Sequence, residues 1–111
     1  MALKPLRWLG NSQAAVRRFP PDARRDTGYQ LWRVQDGEEP SDWKSMPSVG
    51  PGVREVRVHV DGEFRVLYLA TRPDAVYVLH AFAKKAQRTP KLDLDIARAR
   101  LRELGRPHTG D

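Results

Sequence analysis

The stretch VREVRVHVDGEFRVLYLA, residues 53–70, decides the fold. Its first eight residues alternate: Val56, Val58 and Val60 point one way, and Glu55, Arg57 and His59 point the other. This is the period of a half-buried strand. Asp61-Gly62 is a hairpin signal, because these two residue types tolerate the left-handed backbone that a tight turn needs. A second strand follows over residues 64–70 and a third over residues 75–83, joined by Thr71-Arg72-Pro73-Asp74. Three strands in sequence with short connections predict an antiparallel meander.

Working outward, residues 89–104 read as a helix. Thr89 is its expected cap and Pro90 its first residue, with Leu94, Ala97, Leu101 and Leu104 as the inward stripe. Upstream, Leu3, Leu6, Trp8 and Leu9 suggest a short strand over residues 2–9. Asn11-Ser12 reads as a cap for a short helix over residues 12–18. Phe19-Pro20-Pro21-Asp22 breaks that helix and starts a second, running to about Gln35. In it Thr27, Leu31 and Val34 face inward, and Gly28 marks an expected close packing against the sheet. Asp36-Gly37 ends it. Residues 38–52 hold Pro40, Pro47 and Pro51 and read as a loop anchored by Trp43. The expectation is one α+β domain over residues 1–111. It has a small, twisted antiparallel sheet of about four strands, two N-terminal helices on it and a C-terminal helix. All helices fall on one face, and residues 105–111 form a tail.

The formal charge of +6 favours an anionic partner, whether nucleic acid, an acidic protein or an anionic membrane. No apolar run approaches the roughly 18 residues that a membrane span requires, and residues 1–12 lack the apolar core of a signal peptide, so a cytoplasmic protein is expected. With no cysteine, disulfide and thiolate chemistry are excluded. No His/Asp/Glu spacing suggests a metal, so no metal or cofactor is expected. Asp93 and Asp95 lie two apart on a helix and do not face each other. Gly50-Pro51-Gly52 is a turn and not a phosphate loop.

The stretches GVREVRVHVDGEFRVLYLA (residues 52–70) and VYVLHAFAKKAQRTPKLDLDIARARL (residues 76–101) closely resemble phage-related toxins of the HigB-like branch of the RelE/ParE superfamily. FPPDARRDTGYQLWRVQDGEEPSDWKSMP (residues 19–47) is similar to the same branch. The Phe-x-Lys-Lys-x-x-x-Thr-Pro pattern of Phe82 to Pro90 is the most specific part; the Arg-Val-x-Tyr of Arg65 to Tyr68 is shared more widely. The resemblance implies a RelE-like fold and the toxin of a type II toxin–antitoxin system. It implies an endoribonuclease (an mRNA interferase) acting on messenger RNA, often on the ribosome. It also implies a cognate antitoxin of helix-turn-helix type, hence a toxin–antitoxin hetero-oligomer.

By the same resemblance the catalytic strand positions fall on Glu55, Arg57 and Arg65, and the cationic pair on Lys84 and Lys85. Metal-independent RNA cleavage uses the substrate's 2′-hydroxyl as nucleophile, so fixed cations at the phosphate lower the barrier. A base and an acid must move protons. Arg57, on the polar strand face, has the planar fork that suits a phosphate. Arg65, set between Phe64 and Val66, must be paired or line a site; a phosphate clamp and a structural salt bridge to Glu55 or Asp61 are its two readings. Two adjacent cations disfavour each other's charge, which makes Lys85 the candidate general base. Glu55 reads as an orienting group for either arginine, with a general base as its second reading. His59 can exchange a proton, and Gln87 and Arg88 are candidates to hold flanking nucleotides. The turn after the lysine pair offers only Gln87, Arg88, Thr89 and Pro90. His80 shares parity with Val76, Val78 and Phe82 and reads as a core histidine; His108 falls in the tail. Two further readings stand beside the ribonuclease: a ParE-like toxin that inhibits DNA gyrase by binding alone, and a non-catalytic RNA-binding phage remnant.

Overall fold

A computed structural model describes residues 3–105. The elements run β1 (Leu6–Trp8), α1 (Ser12–Arg17), α2 (Pro21–Gln35), β2 (Trp43–Ser45), β3 (Val53–Val58), β4 (Phe64–Leu69), β5 (Val76–Ala83) and α3 (Lys91–Gly105). The expected tail beyond Gly105 and His108 lie outside the described residues. The fold is the expected small α+β arrangement. The sheet has five strands in the order β1-β5-β4-β3-β2. β3, β4 and β5 form the antiparallel meander that residues 53–83 announce.

Three features depart from the sequence reading. β1 pairs with β5 in parallel, so the sheet is mixed. Residues 43–45, expected in a loop, add an edge strand on β3; three residues among prolines carry too short an alternation to signal a strand. The helices occupy both faces of the sheet and not one. Val16, Phe19, Ala23, Leu31 and Val34 of the α1–α2 region pack on Val56, Val58, Val66, Tyr68, Val76 and Val78. Ala97, Leu94, Leu101 and Leu104 of α3 pack on Leu67, Leu69, Leu79 and Val53 of the opposite face. The sequence contains the reason: β4 reads Phe-Arg-Val-Leu-Tyr-Leu, and all six positions are buried. A strand apolar on both faces needs cover on both.

The local punctuation follows the sequence closely. Gly37 takes φ +83° and its N–H bonds to the Val34 carbonyl, which stops α2. Asp61 and Gly62 take φ +56° and +129° in the β3–β4 connection. Two caps differ. The Asn11 side chain accepts a hydrogen bond from Arg100 Nη2 at 2.6 Å and does not cap α1. Thr89 turns its hydroxyl to Glu55, and α3 starts at Lys91. Gly28 is the other correction. It is exposed on α2 and a Cβ there would meet nothing within 4 Å, so it does not serve packing against the sheet.

Candidate functional site

On the sheet face that α3 only partly covers, Arg57 and Arg65 are direct cross-strand partners of β3 and β4. Like charges placed opposite each other repel, so the pair needs an anion. Glu55 supplies it from two residues earlier on the same strand face. Its Oε1 lies 3.6 Å from Arg57 Nε and 3.7 Å from Arg65 Nε. Its Oε2 accepts from the Thr89 hydroxyl at 3.0 Å. Glu55 is 1 % exposed, so it is an interior carboxylate held by two cations and a hydroxyl. The Nε atoms of both arginines are buried without a hydrogen bond, facing Glu55 at ion-pair range.

The two arginines differ in their freedom. Arg65 is buried, donates from Nη1 to the Phe64 carbonyl at 2.9 Å and from Nη2 to Glu63 at 3.1 Å. Arg57 is the open one, with 30 % of its side chain exposed against 7 % for Arg65. Of the two readings of Arg65, the salt bridge is the one observed: it pairs with Glu55, and with Glu63 in place of Asp61.

Glu63 links the cluster to His59. His59 Nδ1 is 2.8 Å from Glu63 Oε1 and its Nε2 is 2.6 Å from Asp42 Oδ2. Donating to both carboxylates takes a proton on each ring nitrogen. The hydrogen bond to Asp42, and then that to Glu63, raise the His59 pKa above its ordinary value, burial opposing slightly. The His59 bond lowers the Glu63 carboxyl, with Arg65 adding to it and desolvation opposing. A chain of alternating charge thus runs Asp42–His59–Glu63–Arg65–Glu55–Arg57. Asp42 also receives the Arg57 backbone N–H on its carbonyl at 2.9 Å, which fixes its loop to β3.

The remaining expected residues lie on the connection from β5 to α3. It is tied at both ends to this cluster: the Lys84 N–H bonds to the Glu63 carbonyl at 2.8 Å, and Thr89 bonds to Glu55. Between these ties Lys85, Gln87 and Arg88 are exposed and Lys84 is half-buried. The inner group of Arg57, Arg65, Glu55 and Glu63 is balanced in charge. Positive charge beyond this group comes from Lys84, Lys85 and Arg88 on the connection and from Lys44, the exposed cross-strand partner of Glu55 on β2.

His80 is buried, as a core histidine should be, but not by the parity expected. Between Leu67 and Tyr68 the β4–β5 register shifts, Leu67 pairing with His80 and Tyr68 with Val78. The bulge turns Leu79 and His80 to the α3 face, away from Val76 and Val78. There His80 stacks on Phe82 with centroids 5.4 Å apart, and its Nε2 is 2.6 Å from Asp93. Arg100 Nη1 lies 3.4 Å from Nδ1 and can only donate, so Nε2 carries the hydrogen that faces Asp93.

Sequence reasoning missed Asp42, Glu63 and the Thr89–Glu55 bond. Glu63 had a signal, since it shares a strand face with Arg65 two residues on. Asp42 had none: it is seventeen residues from His59, in a segment with no periodicity. Among the described residues no group of three or more His, Asp or Glu could hold a metal ion, and no helix is long and apolar enough to cross a membrane.

The architecture and this cluster define a small α+β domain with an arginine pair clamped on a buried glutamate at one end of its sheet. Residues 14–102 match the family described as "Phage derived protein Gp49-like (DUF891)". The chain belongs to this Gp49-like family, which is RelE- and toxin-like in general. No protein of curated function matches the chain.

Proposed function

We infer that the protein is the toxin of a type II toxin–antitoxin pair, of the HigB-like branch, and an endoribonuclease that cleaves messenger RNA without a metal. Family membership supports the toxin in general. One observation carries the enzymatic reading. Arg57 sits half-open beside the Glu55–Arg65 pair, and the connection bearing Lys84, Lys85 and Arg88 is fastened at both ends to that same cluster. These ties support a reading in which cations from two separate parts of the chain act on one phosphodiester, whose charge grows in the transition state.

In this mechanism the ribose 2′-oxygen attacks phosphorus and the 5′-oxygen leaves. Arg57 binds the phosphoryl oxygens. Arg65 does not reach the phosphate; it holds Glu55 and Glu63, and through Glu55 fixes the Arg57 fork. Lys85 takes the 2′-hydroxyl proton. His59, kept protonated by Asp42 and Glu63, is the available proton donor for the leaving oxygen. Lys84, Gln87 and Arg88 border the RNA strand. The partners proposed are messenger RNA on the ribosome and an antitoxin whose acidic surface complements the +6 charge.

The charge balance of the inner cluster favours a second reading, a ParE-like toxin that inhibits gyrase by binding, because a neutralised arginine pair is a weak phosphate trap. Primer extension on messenger RNA with translating ribosomes separates the two. New 5′ ends on addition of the protein, lost with Lys85→Ala at the native melting temperature and with Arg57→Gln in a variant that still unfolds cooperatively, are the expected result. Intact message together with blocked supercoiling by gyrase would replace the first reading with the second.

A further inference from the structure

The opposite face of the sheet carries a cleft of about 540 Å³ where α2 ends and the β2–β3 turn begins. Its volume lies in the range of roughly 300–1,000 Å³ typical of small-molecule sites. Val34 of α2, Pro47 and Pro51 of the turn and Ala70 after β4 give it apolar walls. Gly52 belongs to the turn with φ +79°, and a Cβ there would stand 2.9 Å from the Thr71 side chain, so the turn lies close against the end of β4.

Two donors line the cleft, Tyr68 of β4 and Arg54 of β3, which are direct cross-strand partners. Tyr68 is 1 % exposed; the only polar group that faces its buried hydroxyl among the described residues is the Arg54 guanidinium, which can donate but not accept, so the phenol O–H has no acceptor. A buried phenol normally finds one, so a vacancy in its bonding is an unexplained cost unless something else fills it. Burial raises the phenol pKa, the Arg54 guanidinium opposing, and the hydroxyl stays a donor. The Arg54 guanidinium lies over the Trp43 ring at 4.0 Å, and its nearest carboxylate, Glu39, is at 3.9 Å, the outer limit of an ion pair. Arg54 is therefore held in orientation by the ring and weakly committed in charge.

The ligand chemistry follows from these groups. A phenol O–H and a guanidinium side by side call for a charged acceptor. Lys4 adds positive field and has one N–H left, since two of the three donors of its ammonium are engaged by the Ala70 and Arg72 carbonyls at 2.7 Å each. The exposed Glu38 and Glu39 also line the cleft and repel a multiply charged anion. We propose that this cleft binds a small organic monocarboxylate with an apolar body, its carboxylate accepting from Tyr68 and Arg54 and its body lying on Val34, Pro47, Pro51 and Ala70. The site lies across the sheet from Glu55 and does not depend on the ribonuclease reading.

Amide NMR titrations of the full chain test it with phenylacetate and hexanoate, and with phenylacetamide, phenethylamine and phenyl phosphate as charge variants. The expected result is saturable shifts for at least one acid at Arg54, Tyr68 and Gly52. Affinity should fall roughly tenfold for the amide, the loss of one charge-assisted bond, with no saturable shift for the amine or the phosphate. Tyr68→Phe should weaken acid binding by about the same factor with little change in melting temperature, because it removes a hydroxyl that donates to nothing among the described residues. Glu39→Gln, which releases Arg54, should tighten it. Any of four results overturns the proposal: no saturable shift with either acid, an acid no better than the amide, Tyr68→Phe binding as well as the native chain, or shifts centred on Arg57 and Lys85.

Discussion

Replacing Glu55 by Gln keeps the size of the side chain and an acceptor for Thr89, and removes only the charge between Arg57 and Arg65. Taking one partner from a buried ion pair costs about 3–5 kcal/mol, because the other charge is left desolvated and unpaired. The geometry selects the lower end. Arg65, 7 % exposed, keeps Glu63 at 3.1 Å, and Arg57, 30 % exposed, turns its charge toward water. The repulsion between two facing guanidiniums, no longer screened by Glu55, prevents the cost from falling much further. We expect a loss of about 3 kcal/mol, which for a chain of this size is a fall in melting temperature of roughly 12 °C. Thermal unfolding by circular dichroism measures it. The double variant Glu55→Gln/Arg57→Gln should recover part of the loss, since it removes one of the two stranded cations. A fall of less than about 4 °C, or a double variant that is the plain sum of the singles, would refute the account of Glu55 as the group that reconciles the arginine pair.

The His59 bridge gives a pH dependence with a definite sign. His59 is raised above its ordinary 6.5, so its stabilisation is complete below that value and is lost as pH rises through the folded pKa; Glu63 is lowered from 4.5, so its share is complete above that value and is lost in acid. Melting temperature should therefore peak between these two values relative to His59→Gln, and a constant difference between the two proteins from pH 4 to 9 would contradict the bridge. Gly28→Ala lies on an open helix surface and should stabilise the chain by about 0.5–1 kcal/mol, read by urea unfolding; destabilisation would mean that the outer face of α2 is packed. Asp93→Asn leaves His80 Nε2 with an acceptor and should keep the fold, whereas Asp93→Leu strands a buried imidazole; equal melting temperatures for the two variants would speak against the bond.

What the chain states about itself is periodic and local. Alternation in residues 53–60 announced β3, Asp61-Gly62 the β3–β4 connection, and the leucine and alanine spacing from Leu94 to Leu104 the buried stripe of α3. These signals are legible because each is carried by residues within a few positions of one another, whose directions the backbone geometry sets. The catalytic candidates came from the resemblance to RelE/ParE toxins; the alternation itself showed only that Glu55, Arg57 and His59 share one face of one strand. Their partnerships were not legible. That Arg57 faces Arg65 depends on register, that Glu55 lies between them depends on both strands, and that Asp42 reaches His59 depends on an edge strand only three residues long. The bulge at Leu67/Tyr68 turned His80 to the face opposite the one its spacing implied. The sequence of β4, apolar on both faces, carried the demand for cover on both, but which helix covers which face was decided only by the tertiary packing. Charges settle where desolvation is compensated, and the compensating group here comes from a distant part of the chain, so no local pattern contains it.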